Sequence, residues 1–218
     1  MPQIFRPRAN GLVAAGLFGI AFSVAVIIVA ALIVGSSPYS TAVNYTPEQP
    51  VPFSHQHHVG ALGIDCRYCH TSVEQSSFAG IPSTHICMTC HSQIFTDQKM
   101  LAPVRQSLMR GQPIYWVRVH DLADFVYFNH RIHVQNGVGC ESCHGRVDKM
   151  PLMQQAKPLS MQWCLSCHRN PAPNLRPLDK ITAMGYQPGQ DGISGEVLME
   201  RYAIDHPNRL SECYTCHR

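Results

Sequence analysis

The most apolar stretch of the chain lies near its N-terminus. Residues 11–35 carry no charged side chain, and Ser23 is their one conspicuously polar residue. At about 1.5 Å per residue, a helix of this length exceeds the roughly 30 Å hydrocarbon core of a bilayer. The pattern therefore predicts a transmembrane anchor over residues 11–35. A cleaved signal peptide is the alternative, although its apolar core is shorter, about 7–15 residues.

The charges that flank this segment predict its orientation. Arg6 and Arg8 precede it, and no charged residue follows until Glu48. Positively charged residues are enriched on the cytoplasmic side of membrane proteins. We therefore expect residues 1–10 to form a cytoplasmic N-terminus and everything after residue 35 to lie outside the membrane.

The remainder of the chain lacks long apolar runs. Residues 36–52 are rich in Pro, Ser and Thr and predict an extended linker. Residues 97–110 and 195–203 have helical patterns, whereas residues 113–128 are apolar at alternate positions and predict extended chain. We expect residues 53–218 to form a mainly α-helical and irregular domain with little β-structure.

Five Cys-x-x-Cys-His pentapeptides account for all ten cysteines of the chain. This pentapeptide is the attachment sequence of c-type haem, in which both thiols form thioethers and the histidine binds the iron. The sequence predicts five covalently bound haem c groups, around which short helices and loops would fold. In chain order the motifs are motif 1 (Cys66, Cys69, His70), motif 2 (Cys87, Cys90, His91), motif 3 (Cys140, Cys143, His144), motif 4 (Cys164, Cys167, His168) and motif 5 (Cys213, Cys216, His217).

Zinc is the main alternative ligand for paired cysteines. A tetrahedral zinc site combines two Cys-x-x-Cys pairs, so five pairs leave one over, and zinc does not require a histidine after each pair. A thioredoxin-like motif would occur once and within a βαβ pattern, which this sequence lacks. Because c-type haems are attached outside the bacterial cytoplasmic membrane, haem also agrees with a periplasmic location for the domain.

An internal repeat surrounds four of the motifs. Phe53-Ser-His55-Gln-His-His58 matches Phe128-Asn-His130-Arg-Ile-His133, and each copy precedes a pair of haem motifs. The domain is therefore predicted to contain two di-haem units, at about 53–91 and 128–168, and a fifth haem at 213–217.

The Phe-x-His-x-x-His pattern resembles that of small multihaem cytochromes of the c3 and c7 type. In those proteins the first histidine binds the haem of the following motif, and the second reaches a neighbouring haem. By this resemblance, His55 would bind the haem of motif 1 and His130 that of motif 3. His58 and His133 would bind other haems, which the sequence does not identify.

For the fifth distal ligand we expect His120, in the segment Trp-Val-Arg-Val-His, although a histidine there would also suit a hydrogen bond to a haem propionate. Met161 is its rival for one haem, since it precedes motif 4 much as His85 precedes motif 2, and Met153 is a weaker candidate. His57, His85 and His206 remain as residues near the haems without an assigned ligand role.

Composition narrows the class of function. The formal charge is +3, and setting aside Arg6 and Arg8 leaves 15 basic against 14 acidic side chains, which gives no basis for binding nucleic acid. With a distal ligand opposite each motif histidine, every iron is expected to be six-coordinate, with no position open for a substrate. All five motifs end in histidine, which also argues against a catalytic reductase haem. The chain is predicted to carry electrons and not to be an enzyme by itself.

The whole chain resembles the pentahaem cytochrome subunit of alternative complex III. The resemblance covers the basic N-terminus, the single anchor, the repeated histidine segments and the C-terminal motif, and it includes residues 116–130 and 161–168. It implies a subunit of a respiratory or photosynthetic quinol oxidoreductase. The implied partners are quinol-binding membrane subunits, an iron–sulfur subunit, a mono-haem cytochrome, membrane lipid and a soluble electron acceptor.

Two other functions remain open from sequence. Tetrahaem membrane quinol dehydrogenases also have one N-terminal helix and a small haem domain, so a stand-alone five-haem quinol dehydrogenase is one alternative. The other is a structural anchor whose haems mainly brace an assembly. Reduction of the haems by quinol during turnover would argue against a purely structural role.

Overall fold

The structure is a computed structural model that describes residues 6–217, so residues 1–5 of the predicted cytoplasmic segment lie outside the described residues. The chain divides into two compact units, one ending at Ala42 and one beginning at Val43. The first contains α1 (Pro7–Ser36) and the short α2 (Pro38–Thr41).

Helix α1 is the apolar element that the sequence predicts. Residues 8–36 have a mean hydropathy of 3.0, and none of the apolar window is buried within the molecule. Within the described residues, α1 is the one helix long and apolar enough to cross a membrane. At its C-terminal end, the hydroxyls of Ser36 and Ser37 donate to the carbonyls of Leu32 and Val34 at 2.8 and 2.7 Å. These side-chain bonds supplement the backbone hydrogen bonds of the last helical turn, such as that from the N–H of Ser37 to the Val34 carbonyl.

The second unit is built from short helices and irregular chain, and residues 6–217 contain no β-strand. Antiparallel pairing is limited, within that range, to isolated bridges such as Val126 with His217. The predicted fold class is therefore confirmed. The α-helices are α3 (Cys66–Cys69), α4 (Thr84–His91), α5 (Ala102–Arg110), α6 (His130–Gln135), α7 (Cys140–His144), α8 (Met161–Arg169), α9 (Gly195–Arg201), α10 (Pro207–Leu210) and α11 (Cys213–Cys216), and a π-helical turn spans Gln56–Ala61.

The second half of the predicted linker belongs to this unit. The backbone N–H of Asn44 donates to the Gln155 carbonyl at 2.8 Å, and the N–H of Gln155 donates to the Tyr45 carbonyl at 3.2 Å. Val51 is buried, with 5% of its surface exposed. Residues 43–52 are thus packed chain and not a free spacer, because their backbone bonds are made with a distant segment.

The two halves of the repeat dock on each other reciprocally. In the first half, the N–H of Gln56 donates to the carbonyl of Met150, which follows motif 3, at 2.9 Å. In the second half, the N–H of His130 donates to the carbonyl of Ser77, which follows motif 1, at 3.1 Å. Each histidine segment therefore rests on the loop that follows the first motif of the other unit.

Buried side chains are few for a unit of this size. Leu175 and Leu198 are the most completely buried, and Leu198 belongs to α9, which packs on the 3-10 turn Ala172–Asn174. Large aromatic side chains such as Phe78 and Phe125 are mostly exposed in the polypeptide. This distribution fits the expectation that apolar cofactors contribute much of the core. The buried hydrophobic residues described are Val51, Val104, Val134, Val147, Met150, Ala172, Leu175, Ile181, Tyr186 and Leu198.

Candidate haem-binding sites

Each haem motif lies on one turn of helix. The two cysteines of a motif are three residues apart, and in a helix such residues lie on the same face. In motif 1, Asp65 caps the turn by accepting a hydrogen bond from the N–H of Arg67 at 2.8 Å. In motif 4, Ser160 caps α8 by accepting from the N–H of Trp163 at 3.3 Å. The local helix thus presents both thiols to one group, with the histidine just beyond.

The histidines of four motifs are oriented by backbone carbonyls. The Nδ1 atom of His70 lies 2.6 Å from the Gly80 oxygen, and that of His168 lies 2.8 Å from the Leu210 oxygen. The Nδ1 atoms of His91 and His217 lie 3.3 Å from the Ile94 and Phe125 oxygens, respectively. A carbonyl only accepts, so Nδ1 carries the proton and Nε2 keeps the lone pair that binds a metal.

The upstream histidines are held in the same way. The Nδ1 atoms of His58 and His133 each lie 2.8 Å from a carbonyl four residues earlier, that of Ser54 or of Asn129. The Nδ1 atom of His130 lies 2.8 Å from the Ser77 oxygen. These three side chains therefore also direct Nε2, and not Nδ1, towards a ligand.

The aromatic residue of each repeat braces its two histidines. Phe53 stacks on His58, with ring centroids 4.4 Å apart, and meets His55 edge-on at 4.9 Å. Phe128 stacks on His133 at 4.5 Å and meets His130 edge-on at 4.8 Å. The repeat seen in the sequence is thus also a repeat in geometry.

Three upstream histidines face a motif histidine at the separation that an axially ligated iron requires. The ring centroids are 6.2 Å apart for His58 and His91, and 6.0 Å apart for His133 and His168. For His130 and His144 the distance is 6.4 Å, with the rings within 6° of parallel. Two metal–nitrogen bonds of about 2 Å, with half an imidazole ring on each side, span about 6 Å. The residues present therefore fit haem iron between them.

Tetrahedral zinc makes a different demand on the same residues. It needs four donors that converge on one point. Within residues 6–217, no group of three or more His, Cys, Asp or Glu side chains converges in a way that would hold a metal ion. The paired histidines instead have ring centroids 6.0–6.4 Å apart, and one histidine of each pair belongs to a motif with two cysteines.

His55 lies close to the first motif. Burial, followed by the nearby His70 and His58, lowers the pKa of His55 to about 4. Its Nδ1 atom is buried without a hydrogen-bond partner among the described residues. Burial also lowers the pKa of His144 to about 3, with smaller contributions from His120 and other nearby histidines. His55 and His144 thus lie in one partly buried region, where both are neutral near pH 7.

The structure places His120 beside motif 3. Its Nε2 atom lies 3.3 Å from Nδ1 of His144, and the two ring centroids are 4.4 Å apart. That separation is too short for an iron between the rings. The ring of His217 instead lies 5.7 Å from that of Phe125.

The other residues named from sequence lie at the edges of the sites. Met161 begins α8 and is 61% exposed. His85 lies in α4 and lines a cavity of about 590 Å³ together with Cys87 and Trp116. His206 caps α10, its Nδ1 accepting from the N–H of Asn208 at 3.3 Å, and His57 is exposed.

The backbone acceptors were not identified from the sequence. The carbonyls of Gly80, Ser77 and Leu210 orient haem-site histidines, yet any residue supplies a carbonyl, so no residue type marks them. The spacing of His58 from Ser54, and of His133 from Asn129, was a signal that could have been used. A histidine one helical turn after a residue lies within reach of that residue's carbonyl.

Comparison with known proteins agrees with this geometry. Residues 33–110 match the class III cytochrome c family. The chain is also similar to the multihaem cytochrome c subunit of menaquinone reductase from Nitratidesulfovibrio vulgaris. The two are 31% identical over 164 residues, which cover 66% of this chain and 78% of that protein. With the Cys-x-x-Cys-His motifs and the paired histidines, this similarity shows that the chain belongs to the class III multihaem cytochromes c, which carry covalently bound haem c.

Proposed function

We propose that the chain is the pentahaem electron-transfer subunit of a membrane complex that oxidises quinol, of the alternative complex III type. The single observation that carries this proposal is the set of histidine pairs, 6.0–6.4 Å apart, beside motifs that each supply two thiols. A bound haem c supplies a one-electron ferric/ferrous couple, whose potential depends on its axial ligands. Similarity to a subunit of a menaquinone reductase supports the link to quinone chemistry.

The proposed axial ligands follow from the ring separations and the resemblance together. His70, His91, His144, His168 and His217 would be the proximal ligands. His58 faces His91 and His133 faces His168, which supports these two as ligands of the haems of motifs 2 and 4. His130 faces His144, and His55 lies near His70, which supports them as ligands of the haems of motifs 3 and 1. The sequence favours His120 as the fifth distal ligand, with Met161 as a rival for one haem, and assigns neither to a particular motif.

The protein's own contribution is to fix ligands and exclude water. Carbonyl acceptors hold the Nδ1 protons of seven of these histidines, which would therefore present Nε2 to an iron. Burial keeps His55 and His144 neutral, because it lowers their pKa values to about 4 and about 3. Two histidines at each iron would leave no position for a substrate. We therefore infer that the subunit carries electrons and that quinol binds in partner subunits.

The proposed location follows from α1 and from the sequence that flanks it. The helix would anchor the chain in the bacterial cytoplasmic membrane, with its N-terminus in the cytoplasm and the haem domain in the periplasm. The proposed partners are quinol-binding membrane subunits, an iron–sulfur subunit, a mono-haem cytochrome and a soluble acceptor.

The name of the relative favours a second candidate. A menaquinone reductase delivers electrons to the quinone pool, so the same subunit could carry electrons in the opposite direction. The haem ligands would be the same in both cases, and only the potentials of the partners would differ. Reduction of quinone by a pre-reduced complex, faster than oxidation of quinol, would favour this candidate.

The test is the composition and activity of the native haem-containing species, extracted in mild detergent. We expect the haem to co-migrate with larger membrane and iron–sulfur subunits, and quinol to reduce it only in that assembly. A species little larger than the chain or its dimer that oxidises quinol alone would contradict the proposal. It would instead support a stand-alone multihaem quinol dehydrogenase.

A further inference from the structure

We propose that the five haem motifs lie in single file in the order 2–1–3–4–5, so that motifs 2 and 5 are the two ends at which electrons are exchanged with partner proteins. This inference rests on the proposed function, because it takes each motif to hold a haem. It is argued from contacts between successive motifs, each of which is independent of the others.

Motifs 1 and 2 touch directly. The hydroxyl of Tyr68, between the cysteines of motif 1, lies 2.9 Å from the hydroxyl of Thr89, between the cysteines of motif 2. The histidine segment before motif 1 also spans both, since His58 faces His91 and His55 lies near His70. Motif 2 is therefore a neighbour of motif 1.

Motifs 1 and 3 are bridged by two consecutive residues, Thr182 and Ile181, respectively. The hydroxyl of Thr182 donates to the Asp65 cap of motif 1 at 2.8 Å, and the preceding Ile181 carbonyl accepts from the N–H of Cys140 in motif 3 at 3.1 Å. The reciprocal docking of the two repeats brings the same motifs together.

One short helix connects motifs 3 and 4. Helix α6 carries His130, which faces His144, and His133, which faces His168 one turn later. Motif 4 is therefore a neighbour of motif 3.

Motif 5 follows motif 4. The Nδ1 atom of His168 bonds to the carbonyl of Leu210, in α10, which leads directly into motif 5. Burial and then the nearby Cys216 raise the pKa of the Cys164 thiol. Residues 125–127 also pair with motif 5, since the N–H of Tyr127 donates to the Cys216 carbonyl at 2.8 Å. These residues lead into the segment whose His130 faces His144 of motif 3. A branch from motif 3 to motif 5 is therefore the alternative arrangement that the experiment must distinguish.

Exposure distinguishes the ends from the interior. Of the ten cysteines, Cys90 of motif 2 and Cys213 of motif 5 are exposed, whereas the other eight are at least partly buried. Tyr214, between the cysteines of motif 5, is 67% exposed. The two motifs that the contacts place at the ends are thus the two with an exposed cysteine.

Iron positions in the intact complex, seen by electron cryomicroscopy, test the order without reference to activity. The four shortest iron–iron separations should join motifs 1 and 2, 1 and 3, 3 and 4, and 4 and 5. A motif 2 or motif 5 with two close neighbours, or a motif 5 closer to motif 3 than to motif 4, would overturn the inference. If quinol fails to reduce the complex, the proposed function fails while the order can still hold.

A pair of matched variants in the intact complex tests the consequence. Cys66→Ala with Cys69→Ala removes an interior haem, so quinol should reduce the haems on one side of the gap only, while dithionite reduces all four that remain. Cys213→Ala with Cys216→Ala removes an end haem, and the remaining four should respond to quinol together, either all reduced or none. Complete reduction by quinol in the first variant would show a branched path. Haem content of each purified complex identifies a variant that has lost more than the intended haem.

Discussion

Substitution of Gly60 by alanine should disturb the haems of the first repeat and spare those of the second. Gly60 belongs to the π-helical turn Gln56–Ala61, which packs on the 3-10 turn Val147–Lys149 after motif 3. An added Cβ would overlap the Asp148 carbonyl oxygen and lie 3.3 Å from its carbon. Backbone atoms cannot rotate away as a side chain can, so the π-helical turn Gln56–Ala61 must shift as a whole.

The cost follows from two opposing effects. Overpacking of this kind costs about 1–3 kcal/mol, and alanine regains about 0.4–1 kcal/mol by restricting the unfolded chain. The net loss is then about 1–2 kcal/mol, which lowers the thermal midpoint of a unit of this size by about 2–8 °C. The turn contains His58 and directly follows His55. Its shift should therefore also loosen these two residues, which are the proposed distal ligands of motifs 2 and 1.

Thermal unfolding and the electron paramagnetic resonance spectrum of the oxidised protein measure these effects. Gly192→Ala is a matched control, since Gly192 has φ +74° with open space around it, and alanine there costs a similar about 1–2 kcal/mol through backbone strain alone. We expect a high-spin haem signal in Gly60→Ala and none in Gly192→Ala. Identical spectra for the two variants, or an unchanged midpoint in Gly60→Ala, would refute the reasoning.

Three further predictions concern single side chains. His120→Ala removes the hydrogen-bond acceptor of His144. In a redox titration the potential of one haem should rise by about 59 mV, which corresponds to about a tenfold change in the ferric/ferrous ratio. His120→Gln should restore much of the original potential, whereas a new high-spin signal would identify His120 as an axial ligand. His133→Met should raise the potential of one haem and add a far-red methionine–iron absorption band, because the choice of axial ligand can shift haem potentials across a range of about 0.8 V. An unchanged spectrum would show that His133 is not a ligand. Asp65→Ala should lower the thermal midpoint by about 2–4 °C, because it removes a helix cap worth about 1 kcal/mol. Asp65→Asn keeps a side-chain oxygen that can accept from the N–H of Arg67, so its midpoint should fall less. Equal midpoints for the two variants would contradict this prediction.

The sequence was sufficient for the parts of the fold that depend on local pattern. A long apolar run without charged residues is typical of a membrane-spanning helix. The structure extends the predicted helix to Pro7–Ser36. The predicted helix at residues 195–203 is present as Gly195–Arg201, and that at 97–110 begins as an α-helix only at Ala102, after a 3-10 turn. Proline at position 103 suits the first turn of a helix and explains the later start.

The parts that depend on distant contacts were not predictable. The resemblance placed His58 and His133 on unnamed haems, and only the folded chain shows that they face His91 and His168. Residues 43–52 have the composition of a linker, yet the bonds of Asn44 to the chain near Gln155 hold them against the haem domain. Composition reports the local preference of a segment and carries no information about a partner that lies a hundred residues away.

The central claim is that all ten cysteines of the chain hold haem, two to each group. The most direct measurement is the mass of the intact, denatured polypeptide, since thioether bonds survive denaturation whereas non-covalent ligands are lost. We expect the mass of the chain plus five haem groups, with no free thiol available to an alkylating reagent. A mass with fewer than five haems, or alkylation of any of the ten cysteines, would contradict the account.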